Sequence, residues 1–176
     1  AVPLALFAQG LTRGLVVCAG HAATAVARVE AGAVADDDDY RVFEQHGGLD
    51  DGPADAVADL AARHVRAGGE VPETVVVSGG AALAPGFRTA LETGVAAALR
   101  RKLGEAYYVD DAAEPEDDAS WTTPAGRYLA FFYADDDHDA WRGAAILAGS
   151  EHFDGWVSRG DYDELGADCL AERFAL

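Results

Sequence analysis

The 176-residue chain has no methionine, a single lysine and only two cysteines, Cys18 and Cys169. Because methionine is missing even at position 1, we expect a fragment of a longer reading frame rather than a processed product. The cysteines form no Cys-x-x-Cys pair, which fits a reducing compartment better than a disulfide framework. No apolar run reaches the about 18 residues of a membrane span. Residues 1–8 lack the basic start of a signal peptide.

Basic charge is also scarce, since 31 acidic residues face 13 basic ones and the net charge is −18. Such a surface repels phosphate backbones, which argues against nucleic-acid binding by charge. Acidic, lysine-poor composition is typical both of adaptation to high salt and of a GC-rich genome, and composition does not separate these origins. The acidic runs at 36–39 and 135–139 predict solvated loops.

The chain alternates short apolar runs with amphipathic segments, which predicts an α/β fold with a mixed sheet flanked by helices. Val75, Val76 and Val77 form a β-branched run without polar alternation, as in a strand buried on both faces. Strands are predicted at 15–19, 23–30, 40–44, 106–109 and 127–133, and helices at 4–9, 53–67, 87–103 and 140–150. Gly10 is the expected C-cap of the first helix, and Asp139 is the expected cap of the last.

The valine strand ends at Ser78-Gly79-Gly80, before Pro85-Gly86 opens the next helix. A strand that ends in a glycine-rich turn before a helix is where open α/β sheets place ligands. Two glycines alone do not make a phosphate loop, so the pattern by itself equally describes a tight packing turn.

Other polar residues have ordinary structural interpretations. Cys18 and His21 flank a tight turn without a third orienting group, which predicts a buried, inert thiol rather than a nucleophile and its base. The run 135–139 lacks the glycine and terminal glutamate of a calcium loop. The aromatic residues Trp141, Phe153, Trp156 and Tyr162 are expected in the core. The alternative for this aromatic set is an exposed apolar patch that faces a missing neighbour.

Four blocks of the sequence resemble actin and actin-related proteins, in the right order over nearly the whole chain. Residues 75–87, Val-Val-Val-Ser-Gly-Gly-Ala-Ala-Leu-Ala-Pro-Gly-Phe, resemble the adenosine motif of the second lobe. Residues 14–26 resemble the second phosphate-binding hairpin, and residues 48–52 resemble the segment before the adenosine motif. The stretch 141–166, which starts Trp-Arg-Gly-Ala-Ala-Ile-Leu-Ala, resembles the C-terminal segment.

The resemblance implies an actin-like ATPase fold, related to ribonuclease H, of which this chain holds about one lobe. It divides the chain into an actin-like subdomain at 1–109, an acidic insertion at 110–139 and a C-terminal segment at 140–176. The family carries an inserted subdomain between Gly32 and Tyr40, and here seven residues bridge that gap. No segment of this sequence supplies the phosphate hairpin of the first lobe.

The resemblance also implies a degenerate nucleotide site. The family's two acidic hairpin residues correspond to Cys18 and His21, neither of which offers the oxygen ligands that Mg²⁺ prefers. We therefore predict no catalytic residues, no metal ligands, and ATP or ADP with magnesium bound weakly or not at all. The implied nucleotide-binding residues are Gly20, His21, Gly79, Gly80, Ala81, Leu83 and Ala84.

The function that the resemblance implies is a structural or scaffolding subunit that does not hydrolyse ATP. Its expected partners are proteins, namely actin or an actin-related complex, in the cytoskeleton of the cytoplasm or in the nucleus. One alternative is an ATP-binding, filament-forming actin whose first lobe lies outside this sequence. An acidic-Gly-Ser-Gly hairpin upstream would favour it. A second alternative is a halophilic α/β binding module that only looks actin-like and that unfolds at low salt.

Overall fold

The computed structural model describes residues 2–44, 52–66, 74–103, 129–151, 153, 155–166 and 168–169. The strands of this part are β1 (Gly14–Ala19), β2 (Ala23–Glu30), β3 (Ala33–Val34), β4 (Tyr40–Glu44), β5 (Thr74–Ser78) and β6 (Ala130–Tyr133). The helices are α1 (Val2–Ala8), α2 (Gly52–Arg66), α3 (Phe87–Leu103), α4 (Asp139–Ala148) and α5 (Arg159–Leu165). Short 3-10 turns occupy Asp37–Asp39 and Gly80–Leu83.

The strands form one six-stranded mixed sheet, ordered β3-β2-β1-β5-β6, in which β4 also pairs with β2. Strands β1, β5 and β6 run parallel, with Val16 beside Val76 and Val76 beside Phe132. Strand β2 runs antiparallel to β1, and β3 and β4 run antiparallel to β2. The predicted mixed sheet is therefore confirmed.

Helices cover both faces of the sheet. On one face, α2 and α3 pack over the alternate residues Leu15, Val17, Val75 and Val77. On the other face, Val16 and Val76 pack with Val2, Ala5 and Leu6 of α1, and α4 lies against α1. Alternate residues of one strand point to opposite faces, so the central strands must be apolar throughout. This requirement explains the unalternating valine run.

The helix predictions hold closely. Helix α3 has the predicted bounds, and the five residues of its expected inner stripe are buried: Phe87, Leu91, Val95, Ala98 and Leu99. Gly10 has a φ of 70° and closes α1, since its amide donates to Phe7 and the Leu11 amide donates to Leu6. This is the Schellman arrangement that satisfies the last carbonyls of a helix.

The acidic run at 36–39 is wrongly predicted as a fully solvated loop. Asp39 is buried, and its carboxylate accepts hydrogen bonds from Arg28 of β2 at 2.8 Å and from Arg63 of α2 at 3.4 Å. Arg63 also donates to the carbonyl of Asp38. A buried carboxylate needs such partners to offset its lost hydration. Asp39 thus ties the seven-residue bridge to both the sheet and α2.

We expect Asp39→Asn to lower the free energy of unfolding by about 2 kcal/mol, since hydrogen bonds to charged groups contribute about 1.5–3 kcal/mol. The matched control is Asp37→Asn in the same turn, where the side chain is exposed and the change should stay within about 0.5 kcal/mol. Urea unfolding followed by circular dichroism measures both. Equal midpoints for the two variants would contradict the buried ion pair.

The prediction that the aromatic residues of the C-terminal segment are core is wrong for three of the four. Trp141 is 73% exposed, Trp156 is 60% exposed and Tyr162 is also exposed, whereas Phe153 is half-buried and packs edge-on to Trp156. Only Asp139 and Gly143 of α4 are buried, because α4 meets the rest of the described chain through one narrow face. The alternative, an exposed apolar patch, fits these side chains.

Several predictions fall outside the described residues, namely the strand at 106–109, the acidic loop at 110–119 and the start of the strand predicted at 127–133. The described strand β6 lies inside the segment interpreted as an insertion, and it pairs with β5. None of the described helices combines the length and the apolar character that crossing a membrane requires.

Candidate functional site

The candidate site lies at the edge of the sheet where the three parallel strands end. Strand β1 ends at Ala19, β5 at Ser78 and β6 at Tyr133, and the register Cys18–Ser78 and Val77–Tyr133 places these ends side by side. Carboxyl ends of neighbouring parallel strands are where α/β sheets bind ligands, because loops and helix N-termini converge there. The predicted site residues all follow β1 or β5 at this edge.

Gly79 brings the two glycine-containing turns together. It has φ 100° and ψ 155°, and a Cβ built on it would lie 2.4 Å from the carbonyl oxygen of Ala19. Only glycine allows the end of β5 to approach the end of β1 so closely. The Ser78-Gly79-Gly80 turn is therefore in contact with the strand that leads into Gly20 and His21.

The turn of the β1–β2 hairpin is tight and carries no carboxylate. The Gly20 amide donates to the Ala23 carbonyl at 2.9 Å, and His21 is exposed at the tip. Cys18 is half-buried and faces the α1 side of the sheet. Neither an imidazole nor a thiol replaces the oxygen ligands of a hard cation.

Burial raises the pKa of the Cys18 thiol above its ordinary value of 9.0, and the negative charge of Asp139 raises it further. The thiolate is the reactive form of cysteine, so a raised pKa keeps this thiol protonated and unreactive at neutral pH. The thiol is half-buried and not fully buried as predicted, and its low reactivity stays a prediction.

The reactivity of Cys18 should follow from that raised pKa. At pH 8 we expect iodoacetamide to modify Cys18 more than about tenfold more slowly than a free peptide thiol, since burial limits both access and thiolate. The rate should keep rising with pH above about 10, where a free thiol has already levelled off. Mass spectrometry of the peptides that contain Cys18 and Cys169 follows each thiol separately. A plateau below pH 8 would show an activated thiol instead.

The residues after Gly79 differ in their surroundings. Ala81 packs against the α3 side of the core, whereas Leu83 is 50% exposed and Ala84 is exposed. The Ala84 amide donates to the Ala81 carbonyl, and the Phe87 amide donates to the Ala84 carbonyl, which leads the turn into α3. Leu83 and Ala84 therefore present a small apolar surface at the edge.

The acidic loop after β6 also lies at this edge, although its sequence predicts only a solvated loop. A Cβ on Gly80 would lie 3.9 Å from the Cβ of Asp137, so this loop borders the glycine turn. The amide of His138 and the guanidinium of Arg142 hold the pKa of Asp136 below its ordinary value. Strand β6 runs parallel to β5, so the loop that follows β6 lies at this same edge of the sheet. A prediction that β6 pairs with β5 would therefore have placed the acidic loop at the candidate site.

The prediction that Asp139 caps α4 is wrong. Asp139 is the first residue of the helix, and no side-chain cap bond is present at His138 before it. Its carboxylate is buried and accepts from Gln9 at 3.1 Å and from Arg142 at 3.1 Å, which links the end of α1 to the start of α4. A carboxylate in the first turn still favours the helix dipole.

A second polar cluster borders the site from α3. The Arg88 guanidinium lies 4.7 Å from the centre of the Tyr133 ring and pairs with Glu92 at 3.0 Å. The Tyr133 hydroxyl is buried and has no hydrogen-bond partner in the described part of the chain. Burial, followed by the charge of Glu92, raises the pKa of Tyr133. This tyrosine therefore stays neutral.

The metal that the resemblance implies does not fit these residues. The two hairpin positions carry Cys18 and His21, and the carboxylates at the edge, Asp136 and Asp139, are already bound by Arg142. Within the described ranges, no group of three or more His, Cys, Asp or Glu residues is arranged to hold a metal ion.

Comparison with known proteins agrees with the residue-level resemblance. The family model described as Actin matches residues 56–175, which run from α2 through the glycine turn to the C-terminal segment. The hairpin residues Cys18 to His21 lie before this matched segment. A search of curated proteins finds no match. Because the family match spans more than half of the 176 residues, this chain belongs to the actin family.

Proposed function

We propose that this actin-family chain is a structural or scaffolding subunit that does not hydrolyse ATP. The observation that carries the proposal is the chemistry of the hairpin, where a protonated thiol and an exposed imidazole occupy the positions at which the family organises metal and water. Phosphoryl transfer depends on metal ions and positioned water to stabilise the transferred charge. The side chains of Cys18 and His21 offer no oxygen ligand for either task.

The charge of the edge gives independent support. Asp137, whose Cβ would lie 3.9 Å from a Cβ on Gly80, places a carboxylate where a phosphate would approach the glycine turn. Two unit charges about 4 Å apart in water repel by about 1 kcal/mol, which weakens binding about fivefold for each pair. A triphosphate carries several charges, so the loop opposes its binding.

The proposed partners are proteins, with actin or an actin-related complex as the class that the family suggests. The exposed aromatic side chains of the C-terminal segment, including Trp141 and Trp156, support a protein contact there, because tryptophan and tyrosine are enriched at interfaces. The basic residues Arg101 and Lys102 pair with Asp55 and Asp59, so they offer little charge to nucleic acid. The proposed location is the cytoskeleton or the nucleus.

Calorimetric titration of the purified chain with ATP and magnesium tests the absence of a working site. We expect no saturable heat up to about millimolar ATP, a ceiling that corresponds to a binding free energy of about −4 kcal/mol. We also expect no phosphate release above that of buffer. Magnesium-dependent turnover, or a dissociation constant below about 10 μM, would overturn the proposal. An established ATPase measured in the same buffer is the positive control.

One observation favours the second candidate, a nucleotide-binding lobe of a filament-forming actin. Gly79 has a positive φ, and its backbone lies against Ala19. A glycine turn of this kind lets the backbone come close to a ligand. Repeating the titration with the chain extended by its upstream reading frame separates the two functions. Binding that appears only in the extended chain supports a two-lobed nucleotide site.

A further inference from the structure

Strand β4 forms an edge of the sheet that no other described strand covers. It pairs with β2 from Ala23–Glu44 to Ala27–Tyr40, and β3 occupies only the far end of the same side of β2. The outward edge of β4 therefore faces no other strand within the described ranges. An edge of this kind presents backbone amides and carbonyls that another extended segment can pair with.

One face of this edge is apolar. Tyr40 and Val42 are 45% and 53% exposed, and they lie opposite Ala27 and Ala25 of β2. Those two alanines pack with the core on the α1 side, whereas the larger side chains of β4 extend beyond it. Tyr40 and Val42 thus form an exposed apolar pair beside the strand edge. Such a pair can recognise alternate side chains of an added strand.

The charge beside Tyr40 and Val42 is negative. Asp36, Asp37 and Asp38 lie in the turn before β4 and are exposed. The basic residue of the strand, Arg41, lies opposite Val26 and therefore on the other face of the sheet. A segment that pairs with β4 over Tyr40 and Val42 would approach the three aspartates, so lysine or arginine in that segment is favoured.

We propose that β4 is a docking edge for an extended basic segment of a partner protein, which adds as a further strand. Its apolar residues alternate over Tyr40 and Val42, and its basic residues face Asp36–Asp38. A second copy of this chain is a poor occupant, because each copy carries a net charge of −18 and two copies repel each other. The docking edge rests on the proposed scaffolding function and names the chemistry of its partner.

The test uses a labelled peptide of about seven residues in which valine and isoleucine alternate with threonine and lysines stand at both ends, a length that matches an ordinary strand. Fluorescence anisotropy should show saturable binding to the whole chain. The same peptide N-methylated at alternate amides keeps its charges and side chains but loses strand hydrogen bonds, and its affinity should fall by at least about tenfold. This comparison leaves the protein unaltered, so it does not depend on the folding of a variant.

Protein variants then locate the site. Val42→Thr and Tyr40→Thr keep strand propensity and should each weaken binding about threefold or more, because they remove exposed apolar surface. Ile146→Thr on α4 is the matched control, since Ile146 is similarly exposed but lies away from β4, and it should leave the affinity unchanged. Isotope-labelled protein should show amide shifts in β4 first.

Three results would overturn the proposal. Equal binding of the N-methylated peptide would mean attraction by charge alone. Unchanged affinity in both β4 variants would place the peptide elsewhere. Dimers in sedimentation that disappear in Val42→Thr would make a second copy the occupant. None of these results depends on ATP, so failure of the docking edge and failure of the proposed loss of ATPase activity are distinguishable.

Discussion

Replacing Gly143 with alanine is expected to lower the free energy of unfolding by about 3 kcal/mol or more, at the upper end for overpacking. A Cβ at this position would lie 1.7 Å from the carbonyl oxygen of Leu4 and 2.6 Å from its carbonyl carbon. Both atoms belong to the backbone of α1, so relief requires moving the helix. The gain in helix propensity, about 1 kcal/mol, does not offset this displacement.

The consequence of that movement is exposure of core residues. Val2, Ala5 and Leu6 of α1 are buried against the sheet, and burial of one leucine contributes about 1.5–3 kcal/mol. Differential scanning calorimetry should show a melting temperature lower by about 10 °C for a chain of this size. The matched control is Gly160→Ala in α5, whose Cβ would be 3.7 Å from its nearest neighbour. A similar melting temperature for both variants would contradict the close helix crossing.

Gly79→Ala is expected to be at least as damaging, with a loss of about 4 kcal/mol. A backbone at φ 100° and ψ 155° costs a non-glycine residue about 1–3 kcal/mol, and the new Cβ would also lie 2.4 Å from the Ala19 oxygen. The turn must therefore move away from β1, which separates the two halves of the candidate site. Chemical denaturation measures the loss, and amide shifts at Gly20 and His21 report the separation.

The neighbouring glycine supplies the control. Gly80 does not have a positive φ, and a Cβ on it would only reach van der Waals distance, 3.9 Å, from the Cβ of Asp137. We expect Gly80→Ala to change stability by less than about 0.5 kcal/mol, as for ordinary exposed positions. If the two adjacent variants unfold at the same denaturant concentration, the close approach of Gly79 to Ala19 is not what holds this turn.

Local patterns predicted most of the fold. The valine run of β5, the stripe of α3 and the C-cap at Gly10 each depend on neighbours within one strand or one or two helical turns, so their periods and end signals can be read along the chain. The failures involve partners distant in sequence. Asp39 looked solvated because its partners, Arg28 and Arg63, lie on other elements. Asp139 looked like a cap because Gln9 lies 130 residues away.

The candidate site shows the same division. The glycine turn and the altered hairpin were recognised from short motifs, since each lies within one connection. The acidic loop at Asp135–Asp137 was missed as part of the site, because only the pairing of β6 with β5 brings it beside Gly80. The exposure of Trp141 was also missed, because it depends on how much of α4 the rest of the described chain covers.

The sequence by itself determined the family and the mixed α/β architecture, and it places a thiol and an imidazole at Cys18 and His21, because residue identity and short-range spacing carry that information. Only the tertiary structure decided that Gly79 touches Ala19, that an acidic loop borders the turn and that no other described strand pairs with the outer edge of β4. Those features arise from strand order and helix crossing, which are set by packing over long sequence distances.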